Sequence, residues 1–247
     1  MSAQTSTPTP SRLRSESALY AIAARLLLPP TEELLEALRS GDLQWTAEAC
    51  AEALGGGELT GAARALGGAW TAAPAASLDE LAAQHERAYG QACTGDRSPY
   101  ELMYGGTTPF REPQDLADLM GYYAAFHLQL AGGAHDRPDH AGVEAEFLAY
   151  LLYLEAFALE RGMAEQAEIA AEAARAFLRD HLAGFAAPFA RKVAETAPAG
   201  APREAARLLA ALAAHHCDRL GVQRAERRFV PLQDPDADPE LQDGGMP

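Results

Sequence analysis

The sequence predicts an all-α fold, a single helical-bundle domain of about nine to ten helices. Alanine, leucine, glutamate and arginine, which favour helices, dominate the chain, whereas β-branched residues are scarce. No segment shows the alternation of apolar and polar residues that is typical of a half-buried strand. With 247 residues, of which 48% are hydrophobic, the chain has enough apolar surface for a sizeable core.

Proline, glycine and capping residues mark the helices of the N-terminal half. The first is predicted over residues 15–28 and is stopped by the two prolines that follow. Thr31 is placed to cap a second helix over residues 32–39. Short helices punctuated by glycine come next, and then Ser77 and Glu80 form a capping box for another helix.

The middle of the chain combines a long loop with two helices. Residues 94–113 contain too many glycines and prolines for regular structure, and their aromatic residues favour an ordered loop. Pro113 is predicted to begin a helix that continues to Leu130. A tight connection leads to a central helix that begins at Pro138. Three further helices are predicted over residues 164–182, 185–196 and 203–220.

Both ends of the chain differ in composition from the bundle. Residues 1–14 are predicted to form a disordered arm, residues 15–221 the helical domain, and residues 222–247 an acidic tail that contains proline. From Gln233 onward the tail contains acidic residues and prolines but no basic residues. A segment of this composition has too little apolar surface to bury and is not expected to fold.

The formal charge of -15 and a pI near 4.8 exclude some partners and favour others. Nucleic acid would be repelled over most of the surface, whereas a basic partner would be attracted. No apolar run reaches the length of a membrane span, and no secretory signal is recognisable. Three widely separated cysteines provide no disulfide framework. We therefore expect a cytoplasmic protein without membrane insertion or nucleic-acid binding.

The most informative segment lies around the predicted start of the central helix, from His135 to Phe147, where seven ionisable groups crowd together. Pro138 suits a first helical turn, and Asp139 would place negative charge at the positive end of the helix dipole. The apolar residues that follow form a helical stripe that must pack inward. We therefore expect a charged entrance, meaning the ionisable residues at the start of this helix, held in place by the packing of the helix in the core.

A metal-dependent, all-helical hydrolase is one interpretation of this entrance. His140 and Glu144 share a helix face, and His135 and Asp136 lie just upstream. The remaining histidines form no recognisable motif, and the paired Glu-x-x-His sequences of a di-iron bundle are absent.

Peptide recognition is the other interpretation, because carboxylates can bind a guanidinium in a bidentate manner and neighbouring apolar side chains can hold an apolar helix. Phosphate-binding glycine loops and a nucleophile elbow are absent from the sequence. We therefore nominate no catalytic residue, metal or cofactor. The carboxylates near the loop and the helix start are Glu101, Glu112, Asp136, Asp139, Glu144 and Glu146.

At these residues the sequence resembles the TorD/DmsD/NarJ-like family of redox-enzyme maturation chaperones. The similarity lies in residues 137–140 followed by residues 144–147, in residues 98–101, and in residues 20–35. Ala145 and the residues after Tyr89 depart from the family pattern. The stretch 110–118 is similar to chaperones associated with ethylbenzene-dehydrogenase-like and dimethylsulfide-, selenate- or chlorate-type molybdoenzymes.

The resemblance implies a TorD-like helical fold and a chaperone without turnover. It further implies a client, the apo catalytic subunit of a molybdopterin oxidoreductase with its twin-arginine signal peptide, which is held back from export until the cofactor is inserted. A monomer or a homodimer is compatible with this role. The residues implied in client binding are Pro138, Asp139, His140, Glu144, Tyr100, Glu101 and Asp136. A further hypothesis is that His140 titrates near neutrality and makes capture sensitive to pH.

Overall fold

The computed structural model describes residues 8–90, 97–105, 111–130 and 137–230. Over these ranges the chain forms ten α-helices and one short 3₁₀ turn, with two isolated β-bridges and no strand, which confirms the predicted all-α fold. The helices are α1 (Pro10–Leu27), α2 (Glu32–Ser40), α3 (Asp42–Leu54), α4 (Gly57–Ala72), α5 (Leu78–Tyr89), α6 (Glu112–Ala125), α7 (Ala141–Glu160), α8 (Ala164–Asp180), α9 (Leu182–Thr196) and α10 (Ala201–Leu220). The 3₁₀ turn spans Glu101–Met103.

Helices α1, α7 and α10 lie at the centre of the bundle. The α1 and α7 pair has the most extensive interface, and α10 packs against α1, α4 and α9. Along α7, Phe147 and Leu151 are buried on one face of the helix, and Leu148 and Leu152 are buried on the adjacent face. The helix is therefore enclosed on more sides than the single stripe predicted from the sequence.

The structure moves three predicted helix boundaries. Helix α1 begins at Pro10 rather than at residue 15, because the Thr9 hydroxyl accepts a hydrogen bond from the Arg12 amide at 3.3 Å and Leu13 is fully buried. Helix α6 ends at Ala125 rather than at Leu130, and His127 has a positive φ of 59°. Helix α7 begins at Ala141, after the proline that was expected to start it.

The outer segments also differ from the predicted boundaries. Residues 10–14, expected in a disordered arm, belong to α1. Residues 222–230, expected in the tail, run back in an extended form and pack over the 3₁₀ turn. Residues 1–7 and 231–247 lie outside the described part of the chain. No helix in the described ranges is both long and apolar enough to cross a membrane.

A buried ion pair joins the first helix to the last. Glu16 is fully buried and accepts two hydrogen bonds from Arg219, at 2.8 and 2.6 Å. One turn further along α1, the Tyr20 hydroxyl lies 3.2 Å from Nδ1 of His216, which is also fully buried. His216 thus has a structural role in joining α1 to α10.

The α1 and α7 interface depends on a glycine at the start of α7. A Cβ atom added to Gly142 would lie only 2.7 Å from Cγ of Leu28. We predict that Gly142→Ala lowers the free energy of unfolding by about 1–3 kcal/mol, because a packed neighbour must move. Urea denaturation measures this change. The control is Gly121→Ala in α6, where nothing lies within 4 Å and alanine should stabilise by about 0.5–1 kcal/mol. Equal effects would contradict the packing argument.

Candidate functional site

Two segments that are distant in sequence meet at the candidate site. Tyr100, just before the 3₁₀ turn, forms an antiparallel bridge with His140, just before α7. The Glu101 amide donates to the Asp139 carbonyl at 2.8 Å, and the Ala141 amide donates to the Pro99 carbonyl at 2.7 Å. The residues that the sequence resemblance singled out therefore do come together, apart from Asp136, which lies outside the described residues with His135.

Asp139 lies inside the protein rather than on an open helix start. Its side chain is fully buried and receives two hydrogen bonds from Arg137, at 2.8 and 3.0 Å. The Leu102 amide also donates to this carboxylate, at 3.3 Å. Burial raises the pKa of Asp139, although the bonds and charge of Arg137 act in the opposite direction. The expectation that Asp139 sits in the first turn of the helix is wrong, since it instead ties the turn before α7 to the 3₁₀ turn.

His140 is the N-cap of α7. Its Nδ1 accepts a hydrogen bond from the Gly142 amide at 3.0 Å, and its ring packs edge-on against Tyr100 at a centroid distance of 5.2 Å. Burial, with a smaller contribution from the charge of His85, lowers the pKa of His140 to about 3. The hypothesis that His140 titrates near neutrality is therefore wrong, because an accepting, buried imidazole stays neutral at cellular pH.

Glu101 is the best-paired carboxylate of the site. It is 2% exposed, lies 3.0 Å from Nδ1 of His181, and accepts a hydrogen bond from the guanidinium of Arg227. Burial acts to raise its pKa, but the hydrogen bond with His181 and the charges of His181 and Arg227 outweigh burial and lower the pKa of Glu101. This environment favours the ionised carboxylate, and its two partners come from two other parts of the chain.

Glu144 shares this interior without a cation of its own. It is fully buried on the first turns of α7, and within the described residues neither of its carboxyl oxygens has a hydrogen-bond partner. Burial, followed by the charges of Glu101 and Asp139, raises its pKa well above the usual range. Burial without a cation therefore favours the neutral, protonated form of Glu144.

Several residues that complete the site were not predicted. Arg137 and Arg227 supply positive charges, His181 supplies a ring nitrogen beside Glu101, and the Tyr123 hydroxyl donates to the Pro138 carbonyl at 2.7 Å. Arg137 sits inside the motif and could have been found as its neighbour. Arg227 could not, because it lies in the segment that composition assigned to a loose tail.

The metal interpretation gains no support from the described residues. Among them, no group of three or more histidine, cysteine, aspartate or glutamate side chains could hold an ion. Nδ1 of His140 is already used in capping α7, and Glu144 is protonated. His135 and Asp136, the other two nominated ligands, lie outside the described ranges.

An apolar groove of about 570 Å³ adjoins the buried cluster. It opens between the end of α1, the segment after α6, and the first half of α7. Tyr123 joins the two regions, because its ring lines the groove while its hydroxyl holds the turn before α7. The side chains that form most of the apolar wall are Leu28, Leu128, Leu130, Val143, Phe147, Tyr150 and Tyr153.

Fold and site together define an all-helical protein in which buried ion pairs join two loops beside an apolar groove. The chain belongs to the nitrate reductase delta subunit family, whose model matches residues 33–191. It is 33% identical over 151 residues to the selenate reductase assembly chaperone protein of Thauera selenatis, covering 61% of this chain and 75% of that protein. It is also 33% identical over 135 residues to the chlorate reductase assembly chaperone protein of Ideonella dechloratans, covering 54% and 68%. The resemblance seen in the sequence is thus confirmed at the level of the family.

The raised pKa of Glu144 makes the free energy of unfolding depend on pH. Its pKa is raised in the folded protein, so the free energy of unfolding should fall as pH rises above the unfolded value near 4.5. Glu144→Gln preserves the shape of the side chain but cannot ionise. The variant therefore does not lose stability at this position as pH rises. We predict that the stability of the variant relative to wild type increases by about 1 kcal/mol or more between pH 5 and pH 8.

Urea denaturation at each pH measures the difference. The control is Glu146→Gln, the same substitution at an exposed position on α7, which should leave the pH dependence unchanged. Parallel pH profiles for wild type and Glu144→Gln would show that Glu144 is not protonated in the folded state.

Proposed function

We propose that this protein is a system-specific assembly chaperone for a molybdenum-cofactor oxidoreductase. It binds the apo catalytic subunit, assists insertion of the cofactor, and delays export until the subunit is mature. It acts without turnover and is not an enzyme. The observation that carries this proposal is the 33% identity to two proteins named as reductase assembly chaperones, each covered over more than two thirds of its length.

The apolar groove is suited to the aggregation-prone part of such a client. Its wall is made largely of aliphatic and aromatic side chains, and it is open to one side of the bundle. An apolar helix or extended segment placed there would be shielded from water and from other partners. We propose that the hydrophobic region of the client's twin-arginine signal peptide occupies this groove.

The cluster beside the groove contains the residues nominated for client binding. The resemblance nominated Tyr100, Glu101 and residues 138–140 and 144 for client binding. Because Asp139, His140 and Glu144 are buried, we propose that they shape the surface and fix the turn before α7. Tyr100 and the guanidinium of Arg137, 5.3 Å above its ring, lie nearer to the surface and would face the client.

Localisation and assembly follow from the same proposal. A chaperone that acts on a subunit before export works in the cytoplasm, as a monomer or a homodimer. Negative charge distributed over the surface favours a basic client segment over nucleic acid.

Capture of the client from the native host tests the proposal. We predict that the tagged chain isolates a molybdopterin-type catalytic subunit in near-stoichiometric amount, identified by mass spectrometry, and that this subunit contains little molybdenum by elemental analysis. Deleting the gene should leave the mature enzyme without cofactor. Recovery of only the molybdenum-loaded enzyme, or normal maturation in the deletion strain, would contradict the proposal.

The groove provides a more specific prediction. Leu130→Asp places a charge in the apolar wall at a loop position, and it should weaken client binding at least tenfold because an unpaired carboxylate would have to be buried. Titration calorimetry with the captured subunit measures the affinity. The control is Ile169→Asp on α8, a 53% exposed residue outside the groove, which should bind like wild type. Equal affinities for the two variants would remove the groove from the client site.

A further inference from the structure

The segment after α10 forms a strap, defined here as residues 222–230, that crosses the 3₁₀ turn. It has no regular secondary structure, and most of its residues are exposed. Backbone hydrogen bonds hold it in place: the Arg227 amide donates to the Gly184 carbonyl at 2.8 Å, the Gly105 amide to the Arg228 carbonyl at 2.8 Å, and the Val230 amide to the Met103 carbonyl at 2.7 Å. The strap is therefore bound as an extended peptide is bound to a surface.

Val222, next to α10, is buried in the core, and two further side chains of the strap enter the protein. The guanidinium of Arg227 reaches the buried carboxylate of Glu101 and the carbonyl of Asp180. Two residues later, Phe229 packs against the ring of Tyr104 at a centroid distance of 5.5 Å. Since alternate residues of an extended chain point the same way, this spacing lets one cation and one aromatic ring anchor the segment together.

The cleft that receives Arg227 is shaped for an arginine side chain. A Cβ atom added to Gly184 would lie 2.7 Å from Nε of Arg227, so only glycine leaves room for the guanidinium and its stem. Beside Arg227 the cleft retains a cavity of about 360 Å³. Among the described residues its wall includes Asp115, Asp118 and Asp180 together with Arg111 and His181, so there is space next to the bound arginine and acidic groups outnumber the other arginine.

We infer that the strap is a displaceable self-ligand, which occupies the cleft where an extended client segment bearing an arginine and a downstream apolar side chain binds. This inference deepens the proposed function and rests on it. The strap itself carries the sequence Arg227, Arg228, Phe229 and Val230, a basic pair followed by apolar residues. A client segment of the same chemistry would satisfy Glu101 and Tyr104 in the same way, and a second arginine would meet Asp115 and Asp118.

The burial of Glu101 makes the exchange selective. Glu101 is 2% exposed with the strap in place, so a peptide that covers its carboxylate in the same way without supplying a cation leaves it buried and unpaired, at a large desolvation cost. A peptide without arginine therefore cannot displace the strap, even where the neighbouring groove accepts its apolar residues. When no client is bound, the strap keeps Glu101 paired with Arg227. Segments that lack a cation cannot take its place.

A labelled synthetic peptide with the sequence of residues 223–230 tests the cleft directly by fluorescence anisotropy. We expect full-length Arg227→Ala to bind this peptide at least tenfold more tightly than wild type does, because its own strap no longer competes. The same peptide with alanine in place of the arginine that corresponds to Arg227 should not bind. Arg228→Ala is the matched control, since it removes the same charge from an exposed neighbour and should behave like wild type.

A second variant leaves both charged partners in place. Val230→Pro removes the amide that bonds to Met103, at a residue that is 42% exposed, and should loosen the strap and increase peptide binding severalfold. Adding Gly184→Ala to Arg227→Ala should abolish peptide binding by filling the arginine space. If neither Arg227→Ala nor Val230→Pro binds the peptide better than wild type, the inference is overturned.

The captured catalytic subunit separates failure of this inference from failure of the proposed function. We expect Arg227→Ala to bind it at least tenfold more tightly than wild type and Arg228→Ala to bind it equally. Equal binding by wild type and Arg227→Ala would overturn the strap inference while the proposed function stands. Absence of binding by every form would overturn the proposed function and, with it, the inference.

Discussion

The pairing of one buried carboxylate with an arginine and a histidine from two other elements holds the site together. Glu101 comes from the 3₁₀ turn, His181 from the junction of α8 and α9, and Arg227 from the strap after α10. An unpaired carboxylate at 2% exposure would be strongly unfavourable, so these three elements stay together only while the charge is matched. The same requirement makes the site responsive to any other cation that can reach Glu101.

The carboxyl groups of the site differ in their protonation. Glu101 is ionised, Asp139 is held by Arg137, and Glu144 is neutral. Neighbouring buried carboxyls cannot all carry charge, so the one without a cation keeps its proton. This assignment gives a polar interior that is rigid without an ion, beside a groove that can hold apolar chain.

Sequence patterns predicted the helices more successfully than the site. Capping residues such as Thr31 and Ser77 located helix starts because their hydrogen bonds are local, and both make them in the structure. The motif residues Glu101, Asp139 and His140 were also identified, but as an open acidic entrance. Whether they are buried depends on packing between distant segments, which local patterns do not encode.

The strap shows the same limit more clearly. Composition alone assigned residues 222–247 to a loose tail, since few of them are apolar. Residues 222–230 are anchored by Arg227, Phe229, an ion pair of Glu226 with Arg191, and backbone hydrogen bonds to partners far away in the chain. The glycine at position 184 that admits the arginine likewise has no signature within its own helix.

Hydrogen–deuterium exchange on the full chain, alone and bound to its catalytic subunit, tests the central claim most directly. In the free protein the amides of Arg227 and Val230 should be protected by their bonds to Gly184 and Met103. The account predicts that client binding deprotects these two strap amides, and with them the Gly105 amide that donates to Arg228, while the amides of Glu101 and Tyr104 stay protected. Strap amides that remain equally protected in the complex would contradict it.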